Sequence, residues 1–359
     1  MLPDGLNILY VIAILLLLLS VSAWYIVPSK LTFVAYLGLG FPFILAVNVI
    51  YLVLWIIFWR WRYALVQFVV LILCWVPINT YFPINFKTKV IPEESFKILT
   101  YNVRGFNWLT GKEARKNPML DYIAESDADI ICLQEFAVST RKDRGGIITE
   151  SELNKILKKY PYRSIERLGN RKGHTAYGIA CYSKFPINKS ALLPLNSTFN
   201  GAAIYEMEIK GKLVTFVNVH LESNRINAED KKLYSNFLKN SADRDTFDAV
   251  ANNIQERLGV AYKSREEQAN IISQYIAEQK TIATIVCGDF NDTPISYAYH
   301  RIKGDMIDAY ANSGMGQGMT YHENHFWFRI DFMMHSLAFQ SYNSTVGNVK
   351  YSDHYPVWT

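Results

Sequence analysis

The sequence predicts three membrane helices followed by an α/β (α+β) domain, in which two mixed β-sheets pack together with helices outside. Two observations predict this organisation. Residues 1–86 hold only four charged side chains, whereas the rest of the chain carries 34 basic and 31 acidic ones. Beyond residue 97, short β-type runs alternate with stretches in which apolar residues recur at three- and four-residue steps. Such a mixture suits packed sheets covered by helices.

The membrane segment consists of three apolar runs at residues 6–27, 31–59 and 63–82. Each run reaches the roughly 20 residues that a helix needs to cross the hydrocarbon core of a bilayer. Three runs in succession exclude a cleaved signal peptide. The runs contain no ionisable side chain, which argues against a transport pathway through them. We therefore expect residues 1–86 to be a multi-pass anchor in the lipid bilayer, residues 87–96 a linker and residues 97–359 a separate catalytic domain.

The orientation of this anchor depends on two small groups of basic residues. Arg60 and Arg62 join the second and third runs and should stay cytoplasmic, which places the domain after residue 82 on the extracytoplasmic side. Lys87 and Lys89, just beyond the third run, argue for the opposite side. We favour an extracytoplasmic domain.

The β-type and helical segments of the domain can be assigned from their periodicity. Strands are predicted at residues 97–102, 130–134, 176–183, 203–209, 213–220, 282–287, 330–335 and 356–358. Helices are predicted at residues 114–125, 150–159 and 265–278, and the charge-dense stretch at about 222–263 is interpreted as a helical insertion. Cys132, Cys181 and Cys287 lie inside apolar strand-like runs, which indicates buried core thiols and neither a disulfide framework nor a zinc site. The near-balance of charge gives no support for a polyanionic partner.

Polar groups follow the apolar runs of this domain abruptly, at the places where strands should end. The clearest case is Gly288–Pro294, where a carboxylate and an amide alternate across a loop that proline closes. Loops at strand ends carry chemistry because a rigid sheet positions them. The candidate side chains are Asn102, Glu135, His220, Asp289, Asn291, Asp331, Asp353 and His354.

These residue types suit the hydrolysis of a phosphate ester. A divalent cation on Glu135 would supply positive charge, and Asp289 or His354 would supply the base that activates a water molecule. Imidazolium groups and Asn291 would stabilise the charge that develops on the phosphoryl oxygens. Each residue alone also has a structural interpretation, such as a capped turn for Asn102 or a solvated strand end for Glu135. Asp331, inside an apolar run, needs a partner, for which His354 is the best candidate.

In their order along the chain, the Gly-Asp-Phe-Asn and Ser-Asp-His runs and the other strand ends resemble the endonuclease/exonuclease/phosphatase superfamily of deoxyribonuclease-like enzymes. The resemblance covers residues 97–358 and implies a four-layer sandwich of two mixed β-sheets with the active site at one edge. It also implies that Asn102, Glu135 and Asp353 lie at or near a Mg²⁺ ion, for which Mn²⁺ could substitute. The remaining implied roles are phosphate contact by His220, orientation or deprotonation of water by Asp289, phosphoryl hydrogen bonding by Asn291, and pairing of Asp331 with His354. Arg104 stands where many nuclease members have an acidic residue, which argues against a two-metal site.

The resemblance leaves the substrate open, because relatives cleave nucleic acids, phospholipid head groups and inositol phosphates. We expect a phosphodiesterase with a slight preference for nucleic acid; the alternatives are a phospholipase C-like (sphingomyelinase-like) or inositol-phosphate phosphatase activity, or a non-catalytic membrane-anchored binding module. No protein partner is predicted. A basic rim of the cleft could include Arg141, Lys142, Arg144, Arg163, Arg167, Arg171 and Lys172, although each cluster alone suits a solvated surface loop better. The substrate end could include His322, His325, Trp327 and Arg329, whose aromatic rings could stack on a base or sugar or simply pack against the sandwich.

Overall fold

The computed structural model describes residues 4–141, 145–169, 173–224, 244–279, 283–323 and 327–359. Twelve strands form two six-stranded sheets, in the orders β11-β12-β1-β2-β4-β3 and β5-β6-β7-β8-β10-β9. Both sheets are mixed, because β1 pairs with β2 and β7 with β8 in parallel while the other pairs are antiparallel. The strands are β1 (Ile98–Asn102), β2 (Ile130–Ser139), β3 (Tyr162–Arg167), β4 (Thr175–Ser183), β5 (Ile187–Leu193), β6 (Gly201–Ile209), β7 (Lys212–His220), β8 (Thr284–Asp289), β9 (Ile307–Asp308), β10 (Asp331–His335), β11 (Thr345–Val346) and β12 (Val357–Trp358).

Helices cover the outer face of each sheet and also form the N-terminal bundle. In the order of the chain they are α1 (Asp4–Val21), α2 (Thr32–Leu39), α3 (Phe41–Ile57), α4 (Trp61–Leu73), α5 (Trp75–Tyr81), α6 (Gly111–Arg115), α7 (Pro118–Glu125), α8 (Glu150–Ile156), α9 (Arg244–Glu278), α10 (Tyr297–Lys303) and α11 (Ala309–Ser313). A short 3₁₀ turn at Ser22–Trp24 extends α1. The expected fold class, two mixed sheets flanked by helices, is therefore confirmed.

Three layers of buried apolar side chains hold the sandwich together. The middle layer lies between the sheets and contains Cys132, Cys181 and Cys287 with Tyr205 and Phe216. All four cysteines of the chain are buried free thiols, so the expectation of core cysteines is confirmed. The two outer layers pack α7 and α8 on one sheet and α9 and α10 on the other.

The predicted segments differ from the observed ones mainly at their ends and at sheet edges. Strands β3, β5, β9 and β11 were not predicted; they are edge strands or two-residue strands, in which the apolar pattern is weak or short. The single helix expected at residues 114–125 is divided into α6 and α7, because Asn117 caps a new helix that begins at Pro118. Of the expected insertion, residues 225–243 lie outside the described residues, and residues 244–263 are the first half of the long helix α9.

One N-terminal helix is long and apolar enough to span a membrane, and the other two expected spans are each divided into two helices. The segment Asn7–Trp24 is long and apolar enough to cross a membrane. The other two expected spans are bent pairs, α2 with α3 at 64° and α4 with α5 at 65°, so three spans exist only if each bent pair counts as one. Proline explains both bends, because Pro42 lies in the first turn of α3 and Pro77 in the first turn of α5.

The helix bundle has two distinct ends. At one end Tyr10 packs on Trp55 and donates a hydrogen bond to the backbone oxygen of Tyr63 at 3.1 Å, beside the turn that contains Arg60. At the other end a cluster of Leu17, Trp24, Phe41, Leu45, Val70, Cys74 and Tyr81 encloses Ile295 of the domain. Between the ends, Asn48 of α3 donates to the backbone oxygen of Ala13 at 3.0 Å and accepts from Gln67 of α4 at 3.1 Å.

Candidate active site

Strand pairing brings the polar strand ends to one edge of the sandwich. In the second sheet, the register pairs His220 of β7 with Asp289 of β8, and Asp289 with Asp331 of β10. In the first sheet, Asn102 ends β1 beside Gln134 of β2, and Glu135 follows immediately. Because β1 and β2 are parallel, as are β7 and β8, their carboxyl ends meet at the same edge. The Asn102 side chain reaches across to Asp289, so the two sheets contribute to one site.

Glu135 is aimed into the site by an irregularity in its strand. The pairing of β2 with β4 shifts register between Leu133 and Phe136, and Glu135 adopts a left-handed backbone with φ of 47°. Such bulges re-aim side chains and are frequent beside active sites. The amide nitrogen of Asn102 donates to Glu135 Oε1 at 3.2 Å. Burial raises the pKa of Glu135, against the opposing effect of this hydrogen bond.

Asp289 is the buried centre of the group. Its Oδ2 accepts a hydrogen bond from Asn102 Nδ2 at 2.9 Å, and its Oδ1 accepts one from the backbone nitrogen of Asn291 at 2.8 Å. Asn291 in turn donates its amide to the backbone oxygen of Leu221 at 2.9 Å. Burial raises the pKa of Asp289 to about 6, although the neighbouring imidazoles oppose this rise.

His354 and Asp331 form a buried hydrogen-bonded pair. His354 Nδ1 lies 2.8 Å from Asp331 Oδ2, and His354 Nε2 lies 3.6 Å from Asp289 Oδ2. Burial disfavours the charged form of His354, but the carboxylates of Asp331 and Asp289 outweigh it and raise its pKa to about 10. The imidazole is therefore protonated at neutral pH. Thr320 fixes the start of β10, because its hydroxyl accepts hydrogen bonds from the backbone nitrogens of Ile330 and Asp331 at 3.0 Å.

His220 lies on the opposite side of Asp289 and has a different charge state. Its Nε2 is 3.6 Å from Glu135 Oε1 and 3.9 Å from Asp289 Oδ2. Burial lowers the pKa of His220, so the ring is neutral at pH 7. The side-chain amide of Asn200 lies 3.3 Å from the ring, a contact that the sequence gave no reason to expect. The two histidines of the site therefore differ in charge although the same aspartate lies between them.

Asp353 lies at the exposed mouth of the site, beside Arg104. Arg104 Nη1 is 3.6 Å from Asp353 Oδ2 and 2.7 Å from Glu323 Oε1. Asp353 also accepts a hydrogen bond from the hydroxyl of Ser352 at 3.1 Å. Its charge is close enough to Glu135 to contribute to the raised pKa of that carboxyl. The arginine that departs from the nuclease pattern thus lies inside the acidic part of the site.

Two groups of side chains could hold a divalent ion. Glu135 and Asp353 offer hard oxygen ligands of the kind that Mg²⁺ prefers. As placed, Asn102 donates its amide nitrogen to the carboxylates while its oxygen accepts from the backbone nitrogen of Arg104, so it orients the carboxylates. Ligand atoms of Asp289, Asp331 and His354 also lie within 4.8 Å of one another. A metal there would need a neutral His354, whereas its pairing with Asp331 favours the cation, so the Glu135 side of the site fits an ion better.

The outer residues named from the sequence have mixed positions. Arg141, Arg163 and Arg167 are exposed, while Lys142, Arg144, Arg171, Lys172 and His325 lie outside the described residues. His322 contacts the backbone oxygen of Ser352 at 3.0 Å, near the mouth, and Trp327 is more than half exposed. The expectation for Arg329 was wrong: it is buried against Asp308, with Nη1 2.8 Å from Oδ2, and it donates to the backbone oxygen of Thr80.

Comparisons with known proteins agree with this fold. A family model described as Endonuclease/Exonuclease/phosphatase family matches residues 99–354, and a model for a domain of unknown function matches residues 5–81. No curated protein matches the chain.

Solved structures of the same type align with about three quarters of the chain. A family protein from Leptotrichia buccalis is 19% identical with a TM-score of 0.50, covering 74% of this chain and 98% of that one. One from Beutenbergia cavernae is 15% identical with a TM-score of 0.51, covering 73% and 70%. One from Bacteroides vulgatus is 18% identical with a TM-score of 0.49, covering 73% and 97%.

The two mixed sheets, with their carboxylates and imidazoles at one edge, thus define an α/β sandwich with a candidate active site at that edge. Because the family model covers most of the chain, the protein belongs to the endonuclease/exonuclease/phosphatase family. Family and fold together support a phosphoesterase function.

Proposed function

We propose that the protein is a membrane-anchored, metal-dependent phosphodiesterase whose active site is the group around Asp289. The observation that carries this proposal is the convergence of polar residues from β1, β2, β7, β8 and β10 on one buried aspartate. Buried carboxylates and imidazoles are costly to a fold unless they are paired. A cluster with divergent pKa values in one pocket therefore favours a catalytic role.

Asp289 is the base that orients and deprotonates the attacking water. A pKa of about 6 leaves its carboxylate largely ionised at pH 7 and still basic enough to accept a proton. Its hydrogen bonds from Asn102 and from the backbone of Asn291 hold it in one orientation. The attacking oxygen thereby gains nucleophilic character at a fixed position.

The remaining side chains stabilise the negative charge that develops on the phosphoryl oxygens. The imidazolium of His354 is held in place by Asp331, and its Nε2–H faces the reacting centre. Asn291 and neutral His220 provide further hydrogen bonds to phosphoryl oxygens. Glu135, oriented by Asn102, and Asp353 would hold Mg²⁺, which supplies Lewis-acid polarisation of a phosphoryl oxygen when bound.

The catalytic domain is proposed to lie on the extracytoplasmic side. Arg60, in the turn before α4, and Arg62, in the first turn of α4, lie at the end of the helix bundle opposite to the domain, next to Tyr10 near the amino terminus. Short basic loops stay preferentially in the cytoplasm. A reporter fused after Thr359 tests this orientation.

The experiment that tests the activity uses the full chain in detergent and bis(p-nitrophenyl) phosphate as a soluble phosphodiester. We expect hydrolysis with Mg²⁺, its loss with a chelator, and its loss in Asp289→Ala. Asp305→Ala, at an exposed aspartate, is the matched control and should keep the activity. Hydrolysis that survives chelation or Asp289→Ala would refute the mechanism, and absence of turnover would favour the binding-module alternative.

Nucleic acid is a second candidate substrate because aromatic rings flank the Glu135 side of the site. Trp108 stacks on Tyr177 with ring centroids 6.3 Å apart and planes within 11°, and Phe199 meets Tyr177 edge-on at 5.9 Å. Burial, with the charges of Glu135 and Asp289, raises the pKa of Tyr177, which places this ring beside the catalytic carboxylates. Exposed aromatic rings next to a phosphate site suit base stacking. Hydrolysis of a single-stranded oligonucleotide that falls at least tenfold in Trp108→Ala would support this candidate.

A further inference from the structure

The loop that follows the proposed catalytic base rests directly on the N-terminal helices. Five residues after Asp289, the backbone oxygen of Pro294 accepts a hydrogen bond from the indole of Trp24 at 2.7 Å. The next residue, Ile295, is fully buried among the helices, and the Cα of Gly38 approaches it so closely that a side chain there would collide with its backbone oxygen. The segment 289–295 therefore joins the site to the bundle.

The length of α1 fixes the level of this contact in the bilayer. The 18 residues of α1 and the three of the 3₁₀ turn that follows span about 31 Å, close to the roughly 30 Å of hydrocarbon. Trp24 then lies at the boundary between hydrocarbon and head groups, where tryptophan is enriched. Five residues reach at most about 18 Å, so Asp289 lies within that distance of the same boundary.

The Asp331–His354 pair is connected to the bundle by two further short paths. Arg329, two residues before Asp331, donates to the backbone oxygen of Thr80 in α5. Gly316 donates to the backbone oxygen of Pro83, and four residues later Thr320 holds the backbone nitrogen of Asp331. Both sides of the site are thus fixed to the same end of the helices.

The surface beside this connection is apolar and exposed. Met315 is 53% exposed and pairs with Ile84, which is 70% exposed, and Met319 is 40% exposed. Met315 and Met319 lie in the segment that leads to Thr320 and so to Asp331, and Ile84, three residues after Tyr81, joins this surface to the apolar helix bundle. Continuity with the helix bundle identifies the head-group region of the bilayer as the partner of this surface.

On this basis, and resting on the phosphodiesterase function proposed above, we propose that the substrate is a phospholipid of the leaflet next to the catalytic domain. Water attacks phosphorus, the bond between phosphorus and the glycerol oxygen breaks, and that oxygen takes the proton that the water loses. The products are diacylglycerol and a phosphorylated head group. The leaflet presents this phosphate at high local concentration to a site held at its level.

The activity test uses the full chain reconstituted in vesicles of phosphatidylcholine, phosphatidylethanolamine and phosphatidylglycerol with Mg²⁺. The readouts are released phosphorylated head group by phosphorus NMR, cleavage of a single-stranded oligonucleotide, and turnover of bis(p-nitrophenyl) phosphate. We expect lipid hydrolysis at least tenfold faster than oligonucleotide cleavage, and loss of both in Asp289→Ala. Turnover of the soluble ester without lipid hydrolysis, or faster cleavage of the oligonucleotide, overturns the lipid inference while the phosphodiesterase function stands. Failure of all three substrates overturns both.

A second measurement locates the surface independently of turnover. The four native thiols are buried, so a bimane label attaches to a single introduced cysteine. Met315→Cys and Met319→Cys should be quenched by lipids that carry a nitroxide at the head group, at least threefold more than Ser190→Cys on edge strand β5. Equal quenching at the three positions overturns the proposed contact with the bilayer.

Discussion

Replacing Asp331 by asparagine should lower the pKa of His354 while the shape of the site is kept. Asparagine is isosteric with aspartate, and its amide oxygen can accept the hydrogen bond that His354 Nδ1 donates to Asp331 over 2.8 Å. Only the negative charge is removed. The substitution therefore separates the electrostatic contribution of Asp331 from its contribution to geometry.

The size of the effect follows from the present pKa. Burial opposes the protonation of His354, yet its pKa is raised from 6.5 to about 10 by Asp331 and Asp289. A rise of this size corresponds to about 5 kcal/mol of interaction with the charged form. A single opposite charge at contact distance accounts for about 1–3 pKa units. We therefore expect a pKa of about 7–9 for His354 in Asp331→Asn.

The linkage to stability has a definite sign. Because the pKa of folded His354 is raised, its stabilising contribution is complete below about pH 6.5 and is lost as the pH rises through about 10. In Asp331→Asn, the stabilising contribution of protonated His354 should be smaller, and it should be lost completely at a lower pH. The free energy of unfolding of the wild type should therefore fall more steeply between pH 8 and 10 than that of the variant.

The assay is the pH dependence of kcat for bis(p-nitrophenyl) phosphate, with His354 followed in parallel by NMR and assigned with His354→Gln. In Asp331→Asn, the alkaline limb of the kcat profile should move to lower pH by one pH unit or more. Asp129→Asn, whose native carboxylate pairs with Lys184 at 3.0 Å on another part of the domain, should leave the limb in place. An unchanged limb and an unchanged His354 titration in Asp331→Asn would refute this account of the pair.

Three further predictions concern the metal, the buried arginine and the docking of the bundle. Glu135→Gln should raise the Mg²⁺ concentration for half-maximal activity at least tenfold in a metal titration, whereas a change confined to kcat would argue against a ligand role. Arg329→Met leaves the buried carboxylate of Asp308 without its cation and should cost about 3–5 kcal/mol in denaturant unfolding; recovery in the double variant with Asp308→Asn is the internal check. Ile295→Ala should cost about 2–5 kcal/mol through the cavity that it leaves in the helix cluster, and an unchanged midpoint would show that this contact is not formed in solution.

Much of the site could be anticipated because its residues end strongly apolar strands. Gly288–Asp289 and His220 terminate buried runs whose type is evident from composition alone, and a rigid strand end leaves its polar residue at a sheet edge. Whether these strand ends lie beside one another depends on the order of the strands in the sheet, and a local sequence pattern does not reveal that order. The resemblance to a family implied that these side chains lie in one site, and the strand register places His220, Asp289 and Asp331 side by side.

Other features depend on backbone geometry or on tertiary packing. The left-handed backbone of Glu135 follows from a register shift that no local pattern marks. Asn200 approaches His220 from the residue that precedes β6, where an asparagine is indistinguishable from an ordinary turn residue. Arg329 precedes β10, so the alternation of strand side chains does not determine its direction, and only the position of α5 shows why it turns away from the cleft.

The bends in the anchor could have been predicted and were not. Pro42 and Pro77 each lie inside an apolar run whose length and uncharged character predict one continuous helix. A proline within a helical pattern starts a new helix or kinks the existing one, because it removes a backbone donor and collides with the preceding turn. The absence of charge in the runs predicts a membrane environment, whereas Pro42 and Pro77 determine where the helices bend.

The amide contact between Asn48 and Gln67 has a consequence for the proposed membrane anchor. Lipid tails compete with apolar side chains on equal terms, so hydrophobicity gives transmembrane segments little reason to remain associated or to keep one rotation. An amide that bridges α1, α3 and α4 supplies that reason, since separating the helices would strand it in hydrocarbon. In the proposed membrane anchor, this contact therefore fixes the rotation of α1, α3 and α4 relative to one another and limits how the catalytic domain can turn about them.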